Sequence, residues 1–251
     1  MVEAAHPRSV AVVMPAKDEA GRIAATVSAA RTVPGVDLVV VVDDGSGDDT
    51  ARVAAAAGAT VTRHSRNRGK AAAMETGAEL VRTLESQADG PPRALLFLDA
   101  DLGDSARQAG ALVPPVLAGE ADMTIAVLPP QRIAGGGHGL VVRLAREGIR
   151  RATGWEATQP LSGQRCLSRS AFEAARPLAA GFGVETALTI DLLRAGFRVR
   201  EVPCDLHHRV TGTDLRAQLH RARQYRDVAR ALAGRGLGWP RLRRTSAHGP
   251  G

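Results

Sequence analysis

The sequence predicts an α/β fold in which a mostly parallel β-sheet is flanked by helices. Short valine-rich runs, each as long as a buried strand, alternate with segments whose apolar residues recur at helical spacing. The chain has 251 residues, 44% of them apolar, so it can bury a sizeable core. We predict one domain over residues 1–235, followed by a disordered tail at 236–251.

The first hundred residues contain the clearest alternation. Strands are predicted in SVAVVMPA, VDLVVVVDD, ATVTRHS and LLFLDA, each followed by a segment with helical character. In the first of these helical segments, Ile23, Val27 and Ala30 lie on one face. Parallel strands need such crossover helices, so the carboxyl ends of the four strands should meet at one edge of the sheet.

The pattern is looser in residues 106–235, which we treat as a second half of the same domain. Strands are predicted in ADMTIAVLP and RVREVPCDLH, and helices in LVVRLAREGIRRATG, VETALTIDLLRAG and TDLRAQLHRARQYRDVARALAG. Consecutive glycines in PPQRIAGGGHG predict a flexible loop, because glycines are costly to order. We interpret this loop either as a lid over a ligand or as an idle connection.

The composition argues against several classes of function. The net charge is +7, but only 3% of residues are aromatic and no basic run is interleaved with stacking side chains, so nucleic acid is not an expected partner. No apolar stretch could span a bilayer and no signal peptide is recognisable, which predicts a cytoplasmic protein. Cys166 and Cys204 lack metal-type spacing and are interpreted as reduced core thiols.

Acidic pairs follow three of the predicted parallel strands. The pairs are Asp18 with Glu19, Asp43 with Asp44, and Asp99 with Asp101. Neither GxGxxG nor GxxxxGK[ST] occurs, and an acidic edge would repel a bare diphosphate, so a divalent cation is expected. Hard carboxylate oxygens suit Mg²⁺ or Mn²⁺. An isolated DxD more often just ends a strand at a turn, but the other two acidic strand ends favour the metal.

Four segments together resemble GT-A glycosyltransferases, particularly glycosyltransferase family 2. They are VVMPAKDEAGRI, VVVVDDGSGDDT, RNRGKAAAM and LLFLDADLGD, and their order and spacing match over residues 8–105. The resemblance implies a Rossmann-like GT-A fold whose first half, 8–105, binds a nucleotide-diphosphate sugar. The donor-binding residues that it implies are Pro15, Ala16, Asp18, Glu19, Asp43, Asp44, Lys70 and Asp99.

Particular roles follow from the same resemblance. Asp44 would read the base, Lys70 would contact the diphosphate, and Asp99 and Asp101 would hold the metal, which gives Asp101 a catalytic role. The chemistry of Lys70 agrees, because it begins a helix after a glycine, where free amides and an ammonium both attract phosphate.

The second half resembles two groups of transferases. PLSGQRCLSRSAFE resembles the SGFR region of polyprenyl-phosphate sugar transferases, with Gln164 in place of the usual aromatic residue. GFGVETALTIDLLRAGFRVREV followed by HHR resembles those enzymes and also the retaining glucosyl-3-phosphoglycerate synthases. In the latter comparison, His208 matches a histidine that completes the metal site.

The acceptor side offers two chemical alternatives. Transfer to a hydroxyl needs a base, and Glu185 at the start of a predicted helix is the predicted catalytic residue. An acceptor phosphate is already anionic and needs no strong base. Arg143, Arg165 and Arg209 could then clamp that phosphate.

We therefore predict a metal-dependent hexosyltransferase. Its donor would be a UDP- or GDP-linked sugar, and its acceptor a phosphorylated molecule such as a polyprenyl phosphate or a small phosphorylated hydroxy acid. A sugar-1-phosphate nucleotidyltransferase and a non-catalytic nucleotide-sugar-binding or membrane-associated protein stay open as alternatives. The last predicted helix is basic and amphipathic, which leaves peripheral contact with the inner membrane face open, although packing of its apolar stripe against the sheet is favoured. A homodimer also stays open.

Overall fold

The computed structural model of the protein describes residue 7 and residues 9–86, 91–129, 138–206 and 215–237. Most of the predicted glycine-rich loop and nearly all of the predicted tail lie outside these residues, as do His208 and Arg209.

A mixed β-sheet lies at the centre of the described chain. Its seven strands there are β1 (Val10–Ala16), β2 (Val36–Asp43), β3 (Thr60–Arg63), β4 (Ala94–Phe97), β5 (Met123–Val127), β6 (Arg165–Leu167) and β7 (Val199–Pro203). They are arranged in the order β3-β2-β1-β4-β6-β5-β7. Strand β6 is antiparallel to both neighbours, and the other pairs are parallel. The predicted mostly parallel sheet is confirmed.

Helices cover both faces of this sheet. They are α1 (Ile23–Ala30), α2 (Thr50–Ala56), α3 (Lys70–Glu85), α4 (Pro114–Leu117), α5 (His138–Thr153), α6 (Arg169–Ala174), α7 (Val184–Arg194) and α8 (Leu215–Ala233), with 3-10 helices at Gly103–Leu112 and Gly181–Gly183. Across the described ranges, no helix has both the length and the apolar composition needed to cross a bilayer.

The two faces of β1 explain its uninterrupted apolar sequence. Val12 and Met14 pack on one side with α1, whereas Ala11 and Val13 pack on the other side with α3. Successive residues of a strand point to opposite faces, so a strand covered on both faces must be apolar throughout. Buried central strands of this kind fix the positions of the polar residues that follow them.

Strand β6 is an element that the sequence did not predict. It has only three residues, and residue Phe97 of β4 pairs with Arg165 at its start. Because β6 runs antiparallel, its amino-terminal end lies at the edge where the parallel strands have their carboxyl ends. The segment 160–164 is thereby brought next to the residues that follow β4.

The part of the apolar stripe of α8 whose side chains are described packs against other helices, which corrects the expectation that it packs on the sheet; Leu215 and Leu219 of the stripe lie outside that part. Val228, Ala229 and Leu232 are buried in a cluster with residues of α5 and α7. The contact with α5 is close, because a Cβ on Gly148 would lie 2.4 Å from a methyl group of Leu232. Ala222, which the helical spacing also placed on the stripe, is exposed.

Candidate functional site

Two adjoining cavities lie at the carboxyl edge of the sheet. The larger cavity has a volume of about 920 Å³ and the smaller cavity about 560 Å³. Their shared wall consists of Pro15, Lys17, Asp99, Leu161 and Gln224. Cavities of this size accommodate substrates or cofactors.

Several of the predicted site residues line these cavities. Glu19 and Asp101 line the larger cavity, and Pro15 and Asp99 line both. Those on the smaller cavity are Ala16, Asp44, Lys70 and Glu185. The structure therefore brings together residues from the ends of β1, β2 and β4 with residues from α3 and α7.

Asp18 and Glu19 connect the loop after β1 to the loop after β2. The Asp18 carboxylate accepts a hydrogen bond from Gly47 N at 2.8 Å, and Glu19 N donates to Thr50 Oγ1 at 2.8 Å. The bond from Gly47, with help from Lys17, lowers the pKa of Asp18. Asp18 does not line either cavity, so its predicted contact with the donor stays a prediction.

Asp43 is fully buried below the site. Its carboxylate accepts a hydrogen bond from Ser46 N at 2.8 Å and lies 3.1 Å from Arg63 Nε. These contacts hold the turn after β2. The expectation that Asp43 contacts the donor is corrected, because burial leaves its side chain no access to either cavity.

Asp44 holds the loop that precedes α3. Its carboxylate oxygens accept hydrogen bonds from Arg68 N at 2.7 Å and Gly69 N at 2.8 Å, and His64 Nδ1 lies 2.7 Å away. Burial raises the pKa of Asp44, but these hydrogen bonds outweigh it and lower the pKa below its ordinary value. Asp44 thus fixes the position from which α3 begins with Lys70.

Lys70 forms ion pairs with two carboxylates of the site. Its Nζ lies 2.8 Å from Asp99 Oδ1 and 3.0 Å from Glu185 Oε1. Burial alone would lower the pKa of Lys70, but the two carboxylates raise it above the ordinary value, so the ammonium is charged. Two acidic groups and one cation leave this part of the site one negative charge to offer to a further cation.

Gln164 and Gly163 complete the surroundings of Asp99. Gln164 Nε2 donates to Asp99 Oδ2 at 2.7 Å, and the Gln164 side chain is fully buried. Gly163 lies close to both residues of the Lys70–Asp99 pair, since a Cβ there would lie 2.4 Å from Lys70 Nζ and 3.1 Å from both Asp99 oxygens. The segment before β6 therefore forms a tight wall against the Lys70–Asp99 pair.

The carboxylates of Asp99 and Asp101 suit a divalent cation. Both are hard oxygen donors at one cavity, and Mg²⁺ typically keeps several ligands that the protein does not supply. Within the part of the chain that the structure describes, no three His, Cys, Asp or Glu side chains are grouped to hold a metal. The predicted third ligand, His208, lies outside the described residues. The residues present fit a metal shared with a diphosphate.

The predicted acceptor arginines have different outcomes. Arg165 is fully buried, and its guanidinium donates to Ser162 O at 2.8 Å, Pro160 O at 3.1 Å and Thr189 Oγ1 at 2.9 Å. Burial lowers its pKa to about 10. The expectation that Arg165 binds the acceptor is therefore corrected. Arg143 is exposed on a surface depression that shares Arg146 and Thr158 with the larger cavity but does not line that cavity itself, and Arg209 lies outside the described residues.

Four further residues of the site were not predicted. Lys17 lines both cavities, Arg146 and Gln164 line the larger cavity, and His64 contacts Asp44. His64 directly follows β3, so the rule that strand ends converge could have found it. Arg146 and Gln164 gave no such signal, because their positions depend on α5 and on the unpredicted β6.

Comparisons with known proteins agree with this geometry. The family profile of Glycosyl transferase family 2 matches residues 11–174. Glycosyltransferase AglJ of Haloferax volcanii is 31% identical over 215 residues, which cover 83% of this chain and 66% of AglJ. The chain thus spans slightly less than two thirds of the length of that relative.

Crystal structures of glucosyl-3-phosphoglycerate synthase from Mycobacterium tuberculosis have the same fold. The complex with Mg²⁺ and UDP matches with a TM-score of 0.72 and 29% identity, over 94% of this chain and 81% of that chain. The complex with Mn²⁺, UDP-glucose and phosphoglyceric acid matches with a TM-score of 0.70 and 29% identity, over the same shares.

The sheet order and the acidic carboxyl edge define the class, which is the GT-A glycosyltransferases, as the resemblance of the four motifs implied. The chain belongs to glycosyl transferase family 2.

Proposed function

We propose that the protein transfers a hexosyl group from a nucleotide-diphosphate sugar to a phosphorylated acceptor, with Mg²⁺ or Mn²⁺ at the donor site. The observation that carries the proposal is the position of Lys70 and Asp99. This ion pair lies where the two cavities meet, so a cationic and an anionic group are both available at one point. A departing diphosphate needs positive charge beside it, which the lysine supplies directly and the carboxylate can supply by binding a metal ion.

The smaller cavity is the proposed nucleotide site. It is lined by Pro15, Ala16, Asp44 and Asn67, and also by Lys70, which is paired with Asp99, a residue that lines both cavities. A carboxylate and an amide can form hydrogen bonds with base or ribose, and an ammonium can contact phosphate. The relative of known structure binds UDP and UDP-glucose, which makes uridine donors the first to test, before GDP-linked sugars.

The chain's own residues would act on the donor in two ways. Asp99 and Asp101 would hold the cation, and Lys70 would place a positive charge beside the leaving diphosphate. When bound, Mg²⁺ or Mn²⁺ would stabilise the negative charge of the diphosphate as the sugar leaves. Preorganised charges of this kind commonly contribute about 2.7–4 kcal/mol per group to catalysis.

The larger cavity is the proposed acceptor site. Its walls combine apolar residues such as Val142 and Leu161 with the polar side chains of Thr158 and Gln159, and Arg146 supplies a positive charge. The Arg146 guanidinium donates to Ala157 O at 2.9 Å and Thr158 O at 2.5 Å, which holds it in place. An arginine fixed in this way is suited to the phosphate of an acceptor. The structural relative binds phosphoglyceric acid.

Location and assembly are also part of the proposal. We expect a cytoplasmic protein, with peripheral contact at the inner membrane face as an option. Val228, Ala229 and Leu232 of α8 are buried, so any such contact would depend mainly on the exposed Arg223, Arg226 and Arg230. Such a contact would weaken with salt, and sedimentation with anionic vesicles at two salt concentrations tests it. A homodimer is tested by light scattering.

The first test measures thermal stabilisation by UDP, GDP and their sugar conjugates, with and without Mn²⁺. A ligand at a hundred times its Kd adds about 2.7 kcal/mol to the free energy of unfolding. We expect a metal-dependent shift with one nucleotide, followed by metal-dependent release of that nucleotide diphosphate from the matching sugar conjugate when a phosphorylated acceptor is added.

Asp101→Ala should abolish most of this turnover, whereas Asp104→Ala, an exposed aspartate of the next 3-10 helix, should retain it. Unchanged turnover in Asp101→Ala would contradict the proposal. Release of pyrophosphate from a nucleoside triphosphate would indicate a nucleotidyltransferase instead.

A further inference from the structure

We propose that Gln164 is a positioning residue that holds the Asp99 carboxylate in the orientation needed to bind the donor's metal. The inference rests on the proposed function, in which Asp99 is a metal ligand. Gln164 itself would contact neither the metal nor the sugar. Its effect would be transmitted through one hydrogen bond to Asp99.

The Gln164 side chain is fixed at both ends. Its Nε2 donates to Asp99 Oδ2 at 2.7 Å, and its Oε1 accepts from Ser162 Oγ at 3.3 Å. The backbone is fixed as well, because Gln164 O accepts a hydrogen bond from Ala126 N at 3.0 Å. A fully buried amide with these contacts has little freedom to rotate, so the direction of its N–H bond is set by the fold.

The Asp99 carboxylate is consequently held from two sides. Lys70 Nζ contacts Oδ1 at 2.8 Å and Gln164 Nε2 contacts Oδ2 at 2.7 Å. An ionised carboxylate offers about four lone-pair sites, so these two donors orient it without excluding a cation. Groups that orient the ligands of a metal in this way typically change its affinity roughly 10- to 100-fold when removed.

The chemistry of an amide suits this position. A carboxylate at residue 164 would repel Asp99, and a second cation beside Lys70 would compete with the metal for the Asp99 charge. An apolar side chain would leave a partly buried carboxylate oxygen without its donor. A neutral donor orients Asp99 and leaves its negative charge available.

The position of Gln164 also connects the two cavities. The segment from Pro160 to Gln164 forms part of the wall of the larger cavity, which is the proposed acceptor site. The same segment supplies the hydrogen bond to Asp99. The orientation of a donor-side carboxylate therefore depends on the wall of the acceptor cavity.

The test compares Gln164→Leu with the wild type and with Gln108→Leu, a change at an exposed glutamine of the 3-10 helix Gly103–Leu112. Mn²⁺ is titrated into each protein in the presence of UDP, and UDP is titrated in the absence of metal. We expect Gln164→Leu to need roughly 10- to 100-fold more Mn²⁺. Its metal-free affinity for UDP should stay close to that of Gln108→Leu, whereas its Tm should be lower, because the change leaves the Asp99 carboxylate without a hydrogen-bond donor. Equal Mn²⁺ requirements in all three proteins would overturn the proposal.

A crystal structure of the variant separates this proposal from the proposed function. In Gln164→Leu the Oδ2 atom of Asp99 should move from its wild-type position while Oδ1 stays beside Lys70, whatever donor the wild type binds. An unmoved carboxylate would overturn the positioning role even if the protein proves to be a glycosyltransferase. Gln164→Met, which has a flexible side chain of similar volume, gives the same two readouts should the leucine variant fail to fold.

Discussion

Glu185 Oε1 lies 3.0 Å from Lys70 Nζ, so a residue of α7 and a residue of α3 share one ion pair at the floor of the smaller cavity. The same ammonium contacts Asp99, which follows β4. The first and second halves of the chain therefore meet at a single cation. Glu185 as a catalytic base remains a prediction, and any such role has to operate beside this ammonium.

Replacement of Lys70 by methionine should impair donor binding and turnover. The change leaves Asp99 and Glu185 without the cation that lies between them, and it removes the charge next to the proposed diphosphate. We expect turnover to fall by roughly 10²- to 10³-fold, the usual effect of losing one charge-stabilising group. Steady-state kinetics and UDP titration measure it.

Lys70→Arg tests whether a positive charge alone is sufficient, because it keeps the charge and changes the size and shape of the side chain. The larger guanidinium has no room beside Gly163, so this variant should recover only part of the activity. Wild-type UDP affinity in Lys70→Met would show that the ammonium does not contact the diphosphate.

Replacement of Gly163 by alanine should disturb the site more than the fold. The added Cβ would lie 2.4 Å from Lys70 Nζ, and a flexible lysine end can move away at little cost in stability. The expected loss is about one hydrogen bond, or roughly 1 kcal/mol in the free energy of unfolding, together with weaker UDP binding. Urea unfolding measures the free energy of unfolding, and UDP titration measures the affinity for UDP.

Gly110→Ala is the matched control, since a Cβ built there has only ordinary contacts at 3.7 Å with Pro34 and Val33. It should bind UDP as the wild type does. If Gly163→Ala binds UDP with the affinity of the wild type, the contact between the 160–164 segment and Lys70 does not contribute to UDP binding.

Replacement of Asp44 by asparagine should lower stability in a pH-dependent manner. The amide cannot accept all the hydrogen bonds that His64, Arg68 N and Gly69 N make to the carboxylate, which costs roughly 1–3 kcal/mol. The folded-state pKa of Asp44 is lowered, so its contribution is present above the unfolded pKa of about 3.9 and is lost as the pH falls further.

The stability difference between wild type and Asp44→Asn should accordingly be constant from pH 7 to about pH 5 and shrink toward pH 3. Urea unfolding at each pH measures it. If the difference in the free energy of unfolding does not change between pH 7 and pH 3, the hydrogen bonds to Asp44 do not lower its pKa in the folded protein.

The two cysteines should be inert in the folded protein. Burial raises the pKa of Cys166 to about 12 and that of Cys204 to about 11, and only the thiolate reacts readily. We expect no labelling by iodoacetamide at pH 8 in the native state and labelling of both thiols in concentrated urea. Mass spectrometry counts the modified residues, and rapid native labelling of Cys166 would contradict its burial.

The proposed donor half of the site was predictable from sequence because its residues follow a local rule. Asp44 directly follows β2 and Asp99 lies two residues after β4, and parallel strands bring the residues at their carboxyl ends to one edge of the sheet. Lys70 was recognisable because it begins a helix after a glycine within a motif. The roles of Asp18 and Asp43 were harder to judge, since the sequence does not show whether a strand-end carboxylate faces a cavity or holds a turn.

The acceptor half depended on contacts between distant segments. Arg165 looked like a phosphate clamp because it is a charged residue in a motif, yet the fold buries it and its guanidinium bonds to protein oxygens. Gln164 looked like a departure from a motif, yet it is hydrogen-bonded to Asp99. Both outcomes follow from β6, whose three residues are too few to show a period.

The sequence by itself determined the class of fold and the acidic residues at the carboxyl edge of the sheet, because period and spacing are local properties of a chain. Only the tertiary structure decided which carboxylates face the cavities, which arginine is buried, and that Lys70 joins Asp99 to Glu185. These depend on the direction of β6 and on the packing of α7, and side chains 65 and 115 residues apart meet only when the sheet is assembled.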